Sequence, residues 1–126
     1  MKSFLLIEDD DIFNFIHNQI ILQALPDAKI TIFKYAQQAL DYLISDSANM
    51  PDVIFLDLNM PEMNGFEFID LLMDRFDQDS ITSKLYLVSS TLDHRDKDRA
   101  KSYSCVNGLI DKPLSTRFIE SIFSDN

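Results

Sequence analysis

The chain has 126 residues, of which 46% are apolar, 11% aromatic and 25% charged, a composition suited to a single globular core. Eleven Lys and Arg face 21 Asp and Glu, and the resulting net charge of −10 repels phosphate backbones and argues against direct nucleic-acid binding. No apolar run approaches the ~20 residues of a membrane helix or forms a secretory leader, and Cys105 with His17 and His94 offers neither a disulfide nor a zinc spacing.

In chain order, Ser3 to Ile7 reads as a buried strand and runs into Glu8-Asp9-Asp10-Asp11, where Asp10 or Asp11 is placed to cap a helix. At 100° per residue, Ile12, Phe13, Ile16, Ile20 and Ala24 share the expected core face of that helix, whereas Phe15 and Leu22 fall on the other side beside Asn18 and Gln19. Lys29 to Phe33 is the second strand, and Ala36, Ala39, Leu40 and Leu43 mark the second helix. The third strand, Asp52 to Leu56, precedes Asp57; Pro61 and Asn64-Gly65 read as turn residues, with Gly65 free to take a positive φ. Phe66, Ile69, Met73 and Phe76 carry the third helix, and Lys84 to Val88 the fourth strand, which ends in Ser89-Ser90-Thr91. The segment Asp93 to Tyr103 has only Ala100 and Tyr103 as apolar anchors amid seven charged residues, so its helix is expected to be the least stable. Gly108 to Ile110 is the fifth strand, followed by Asp111-Lys112-Pro113 and a last helix with Phe118, Ile119, Ile122 and Phe123. No linker interrupts residues 1–126, so one domain is expected, and the end at Asn126 is read as leaving no output domain.

Strict alternation of five strands and five helices demands an α/β fold, a doubly wound parallel sheet with right-handed crossovers and helices on both faces. Ligands in such sheets sit at the carboxyl ends of the strands. If the first strand is central, strands one and three lie about 4.8 Å apart, which brings Glu8, Asp9 and Asp57 to one edge. Two unit charges ~5 Å apart repel by roughly 3 kcal/mol at an effective dielectric near 20, which favours a bound cation or a shifted pKa. Mg2+ suits an oxygen-only cluster. Lys112 and the Ser89 hydroxyl are groups able to meet phosphoryl oxygens.

These residues resemble the receiver domain of two-component response regulators, of the stand-alone, chemotaxis-regulator-like kind. The resemblance is carried by Phe4-Leu5-Leu6-Ile7-Glu8-Asp9-Asp10, by Val53 through Asp57 to Gly65, by Leu87-Val88-Ser89-Ser90 and by Asp111-Lys112-Pro113. It implies a flavodoxin-like (βα)5 fold with strand order 2-1-3-4-5, and the acidic charge and the lack of a membrane-length apolar run add the expectation of a cytoplasmic protein that contacts neither nucleic acid nor membrane. It also implies that Asp57 accepts a phosphoryl group from a phosphohistidine on a sensor histidine kinase or a histidine phosphotransfer protein, and so alters the surface of the fourth helix, fifth strand and fifth helix that a downstream target reads. Glu8 and Asp9 form the implied acidic pair, with Asp9, Asp57 and the backbone carbonyl of Asn59 around Mg2+. Ser89 and Lys112 would contact the phosphoryl oxygens, Asn59 and Thr91 would tune the phosphoryl lifetime, and Lys112-Pro113 is a candidate cis bond.

Leu109 departs from the family, which usually carries an aromatic ring there, so a ring-rotation signal has no group to work with. Asp111 should point away from the side of the sheet that carries Lys112. Phe15 and Leu22 suggest a partner-docking face on the first helix. Two other functions compete with the switch: a phosphorylation-independent binding module, and an aspartyl-phosphate phosphatase. The second needs an acid where Asn59 stands, and an amide does not titrate.

Overall fold

A computed structural model describes residues 1–46, 49–77 and 80–124; the chain end at Asn126 lies outside them. The elements are β1 (Ser3–Ile7), α1 (Asp11–Ala24), β2 (Lys29–Phe33), α2 (Ala36–Ser45), β3 (Val53–Asp57), α3 (Gly65–Met73), β4 (Lys84–Ser89), α4 (His94–Lys101), β5 (Val106–Asp111) and α5 (Thr116–Ile122). All five strands are parallel, in the order β2-β1-β3-β4-β5. The parallel sheet is the one expected from the alternation, and its strand order is the flavodoxin-like one that the resemblance implies.

Side-chain alternation along the strands divides the apolar residues between two cores. Leu5 and Ile7 of β1 and Ile54 and Leu56 of β3 pack against Leu40 and Leu43 of α2, Ile69 and Leu72 of α3 and Ala100 of α4. Phe4, Leu6, Val53 and Phe55 turn to the other face and meet Ile21 of α1 and Ile119 and Ile122 of α5. Every residue of β3 is buried, as an inner parallel strand covered on both faces requires.

The strands end later than the apolar runs suggest. β3 starts at Val53 and takes in Asp57, which pairs with Val88; β4 takes in Ser89, which pairs with Asp111 of a longer β5. Both polar residues are therefore held by the backbone ladder. Asp52 turns instead to β1, its carboxylate accepting from the Ser3 N–H at 2.8 Å. Between β4 and β5 the register slips at Leu85/Tyr86, and Asn107 Oδ1 accepts the Leu85 N–H at 3.0 Å where the slip removes a backbone partner.

α1 corrects the sequence reading. Its buried residues are Asn14, His17 and Ile21, while Ile12, expected in the core, is 70% exposed. The cause is polar: Asn14 Nδ2 donates to the Glu8 carbonyl at 2.9 Å, and His17 Nε2 accepts from the Leu114 N–H at 3.2 Å. These two bonds turn the helix inward on a face that hydrophobicity alone does not select, although among the described residues the buried Asn14 Oδ1 has no hydrogen-bond partner. Asp10 is the cap, accepting from Ile12 N–H at 2.8 Å.

Candidate functional site

At the carboxyl edge of the sheet, β1 delivers Glu8 and Asp9, β3 delivers Asp57, and the loop after β5 delivers Lys112. One carboxylate oxygen from each of Glu8, Asp9 and Asp57 lies within 4.8 Å of the others. The Lys112 ammonium, itself buried, contacts Glu8 Oε1 and stands 3.3 Å from Asp57 Oδ1. These groups line a cleft of about 200 Å³ with Asp10, Phe13, Asn59 and Ser90. The Lys112–Pro113 bond is cis, as expected, and Asp111 is exposed.

Three carboxylates against one ammonium leave an excess of negative charge in a half-closed pocket. Burial, reinforced by neighbouring Asp57 and only partly opposed by Lys112, pushes Glu8 up to about 8. A hard divalent cation removes that excess. The donors are carboxylate oxygens only, with no nitrogen or sulfur, and they fit Mg2+.

The surrounding backbone explains why Asp57 stays in place. Asn59 N–H donates to Asp57 Oδ1 at 3.1 Å. Gly65 N–H donates to the Leu58 carbonyl at 2.8 Å, drawing the start of α3 against the end of β3. Gly65 does not adopt the positive φ expected of it. A Cβ there would lie 2.7 Å from Leu87 Cδ2 and 3.2 Å from the Asp57 carbonyl, so glycine is required by close approach. Asn64 is not merely a turn residue but the cap of α3: it accepts from Glu67 N–H, and Glu67 accepts in return from Asn64 N–H, both at 2.9 Å. Glu62, in the same loop, accepts the Ala36 N–H at 2.8 Å and caps α2, whose own N-cap residue Tyr35 makes no side-chain bond.

Ser89 lies differently from Lys112. It is fully buried, its hydroxyl donating to the Thr91 carbonyl at 3.0 Å and accepting from Thr91 N–H and Asn59 Nδ2, each at 3.1 Å. The hydroxyl is thus engaged in the turn before α4, and Ser90 rather than Ser89 lines the cleft. Thr91 is exposed and is joined to the Ser89 hydroxyl through its backbone. Of the apolar pair on α1, Phe15 is 66% exposed but Leu22 is half-buried; the exposed neighbour of Phe15 is Ile12, one turn away. Leu109 is half-buried beside the groove between α4 and β5, with Lys97, Ala100 and Lys101.

Sequence reasoning missed Phe13 and His17. The Lys112 ammonium lies 4.5 Å from the Phe13 ring centroid, and the Phe13 and His17 rings are 5.6 Å apart.

The chain is similar to known proteins of solved structure. A two-component response regulator from Cytophaga hutchinsonii is 33% identical, with 98% of this chain and 94% of that one covered at a TM-score of 0.89. A response regulator receiver protein from Dyadobacter fermentans is 29% identical over 97% and 94% of the two chains, TM-score 0.83. A two-component response regulator from Legionella pneumophila is 28% identical over 98% and 95%, TM-score 0.82. No curated protein matches the chain. The model of the response regulator receiver domain matches residues 4–123, and with the acidic edge, the cleft and the strand order described above, the chain belongs to the receiver domains of two-component response regulators.

Proposed function

We propose that Asp57 is the phosphoacceptor of a signalling switch, loaded from a phosphohistidine on a histidine kinase or phosphotransfer protein. The observation that carries this reading is the buried Lys112 ammonium 3.3 Å from Asp57 Oδ1 inside a carboxylate cluster. An Asp57 oxygen attacks phosphorus in line, an O–P bond forms, and the N–P bond breaks with its electron pair returning to the donor imidazole. Lys112 meets the charge on a phosphoryl oxygen. Asp9 and Asp57, with the Asn59 carbonyl and with Glu8 beside them, would hold Mg2+, which when bound would neutralise the remaining charge. With Mg2+ and a small phosphodonor, intact-mass spectra should gain one phosphoryl group in wild type and none in Asp57→Asn. An undiminished gain in the variant would overturn the assignment.

Ser89 is the group proposed to leave Thr91 for a phosphoryl oxygen. Asn59 and Thr91, both bonded to its hydroxyl, are proposed to tune phosphoryl loss, neither being a charged base. Substituting either should change the dephosphorylation rate in phosphorus NMR while Asp57 stays the modified residue; unchanged lifetimes in both would place control of the hydrolytic water elsewhere. Ile12 and Phe15 are proposed as the docking face for the phosphohistidine partner, with half-buried Leu22 at its margin. The groove of α4 and β5, with α5, is proposed as the surface a downstream protein reads. A phosphatase reading gains nothing from Asn59, whose side-chain amide is engaged with Ser89.

A further inference from the structure

We propose that Phe13 and His17 are positioning residues for Lys112, fixing the direction from which its ammonium approaches the Asp57 carboxylate; this rests on the role proposed above for the lysine. Two contacts tie the lysine and its loop to one face of α1. Beyond Lys112, the Leu114 N–H donates to His17 Nε2 at 3.2 Å, so the imidazole is neutral at that nitrogen. At the other end, the ammonium lies 4.5 Å from the centroid of Phe13, whose ring also walls the cleft. Phe13 and His17 stand one helical turn apart, their rings 5.6 Å apart and inclined by 34°, so the two contacts brace each other.

The need for such a brace follows from the chemistry of lysine. A compact ammonium on a flexible four-carbon stem follows the most negative oxygen within reach, and Glu8 and Asp57 both compete for it. Carboxylates alone therefore do not define where it rests. A ring face attracts the cation without titrating, and the tethered loop fixes where the stem begins.

Fluorine NMR of beryllofluoride binding in the presence of Mg2+ tests this in the intact chain. Phe13→Leu, which keeps apolar volume and loses the ring face, should weaken binding about fivefold. His17→Leu should weaken it too, and His17→Gln, whose amide oxygen can accept the Leu114 N–H, should recover most of the loss. On a Lys112→Met background the Phe13→Leu effect should shrink to less than about twofold. Equal losses on both backgrounds, or no loss in Phe13→Leu, would overturn the positioning role while leaving that of Lys112 intact. Undiminished binding by Lys112→Met alone would instead remove the lysine from the phosphoryl site, and the brace with it.

Discussion

His17 is 4% exposed, on the inward face of α1, and burial together with nearby Lys112 lowers its pKa to about 4 from an ordinary 6.5. Between those values the unfolded chain binds a proton that the folded one refuses. Its contribution to stability is therefore complete above pH 6.5 and is lost as pH falls toward 4, to a limit of about 3 kcal/mol. Glu8, raised to about 8, runs the opposite way over much of the same range, so the difference between wild type and His17→Gln isolates the imidazole. Urea titrations from pH 7 to 4 should show the wild type losing stability faster than the variant; parallel profiles would show that His17 protonates in place. The two kinds of site residue differed in legibility. Glu8, Asp9, Asp57 and Lys112 were readable because each follows an apolar strand, and strand ends converge in this fold class. His17 was not, since its partner Leu114 lies 97 residues away and no local pattern marks it. Ser89 was readable as the residue that closes the fourth strand, but its engagement with Thr91 was not, because that depends on the shape of the turn.

Among the elements, α1 defeated periodicity because it is apolar nearly all round: Ile12, Phe13, Phe15, Ile16, Ile20, Ile21 and Leu22 occupy every side. What sets its rotation is the pair of buried polar side chains, Asn14 and His17, which resemble surface residues until their partners are known. The same rotation leaves Ile12 and Phe15 exposed one turn apart, close to Asp10 at the cleft wall. Two large exposed apolar groups on the helix that follows the cleft's acidic residues suit the protein donor proposed for Asp57 and contribute nothing to a small one. Phe15→Ala should therefore slow transfer from a cognate phosphohistidine protein several-fold, roughly the effect of losing ~1 kcal/mol of contact, with the rate from a small phosphodonor unchanged. Stopped-flow measurement with both donors decides this, and equal slowing would point to general destabilisation. α3 is the contrasting element. Its cap was written in Asn64-Gly65-Phe66-Glu67, a local signal, whereas the reason for Gly65 was tertiary, in Leu87 and the Asp57 carbonyl.

At the scale of the whole molecule, the strand–helix alternation was legible because parallel strands covered on both faces must be short apolar runs, and crossover handedness leaves few topologies. The stability of α4 was less so. Counting apolar residues made it the weakest helix, yet its C-terminal end is held to α3: the Arg99 guanidinium lies 4.4 Å from the Phe66 centroid, Tyr103 stacks on Phe66 at 5.8 Å, and the Tyr103 hydroxyl donates to Asp70 at 2.8 Å. Its N-terminal end rests on Asp93, which accepts from Arg95 N–H at 2.7 Å and pairs with the Arg95 side chain. That end is joined to the site through the Thr91–Ser89 bonds. Withdrawing the Ser89 hydroxyl toward a phosphoryl oxygen thus frees the turn before Asp93, while the Phe66–Arg99–Tyr103 cluster keeps the far end docked. A helix pinned at one end and released at the other would pivot, and the α4–β5 groove would then take a second shape without an aromatic ring at Leu109. Amide exchange with and without saturating beryllofluoride should then change protection from Ser90 to Asp96 and leave Arg99 to Cys105 nearly constant. Unchanged exchange from Ser90 to Asp96 would remove Ser89 as the link, and a change of equal size through Cys105 would mean that the whole helix moves and that the α3 contacts do not pin it.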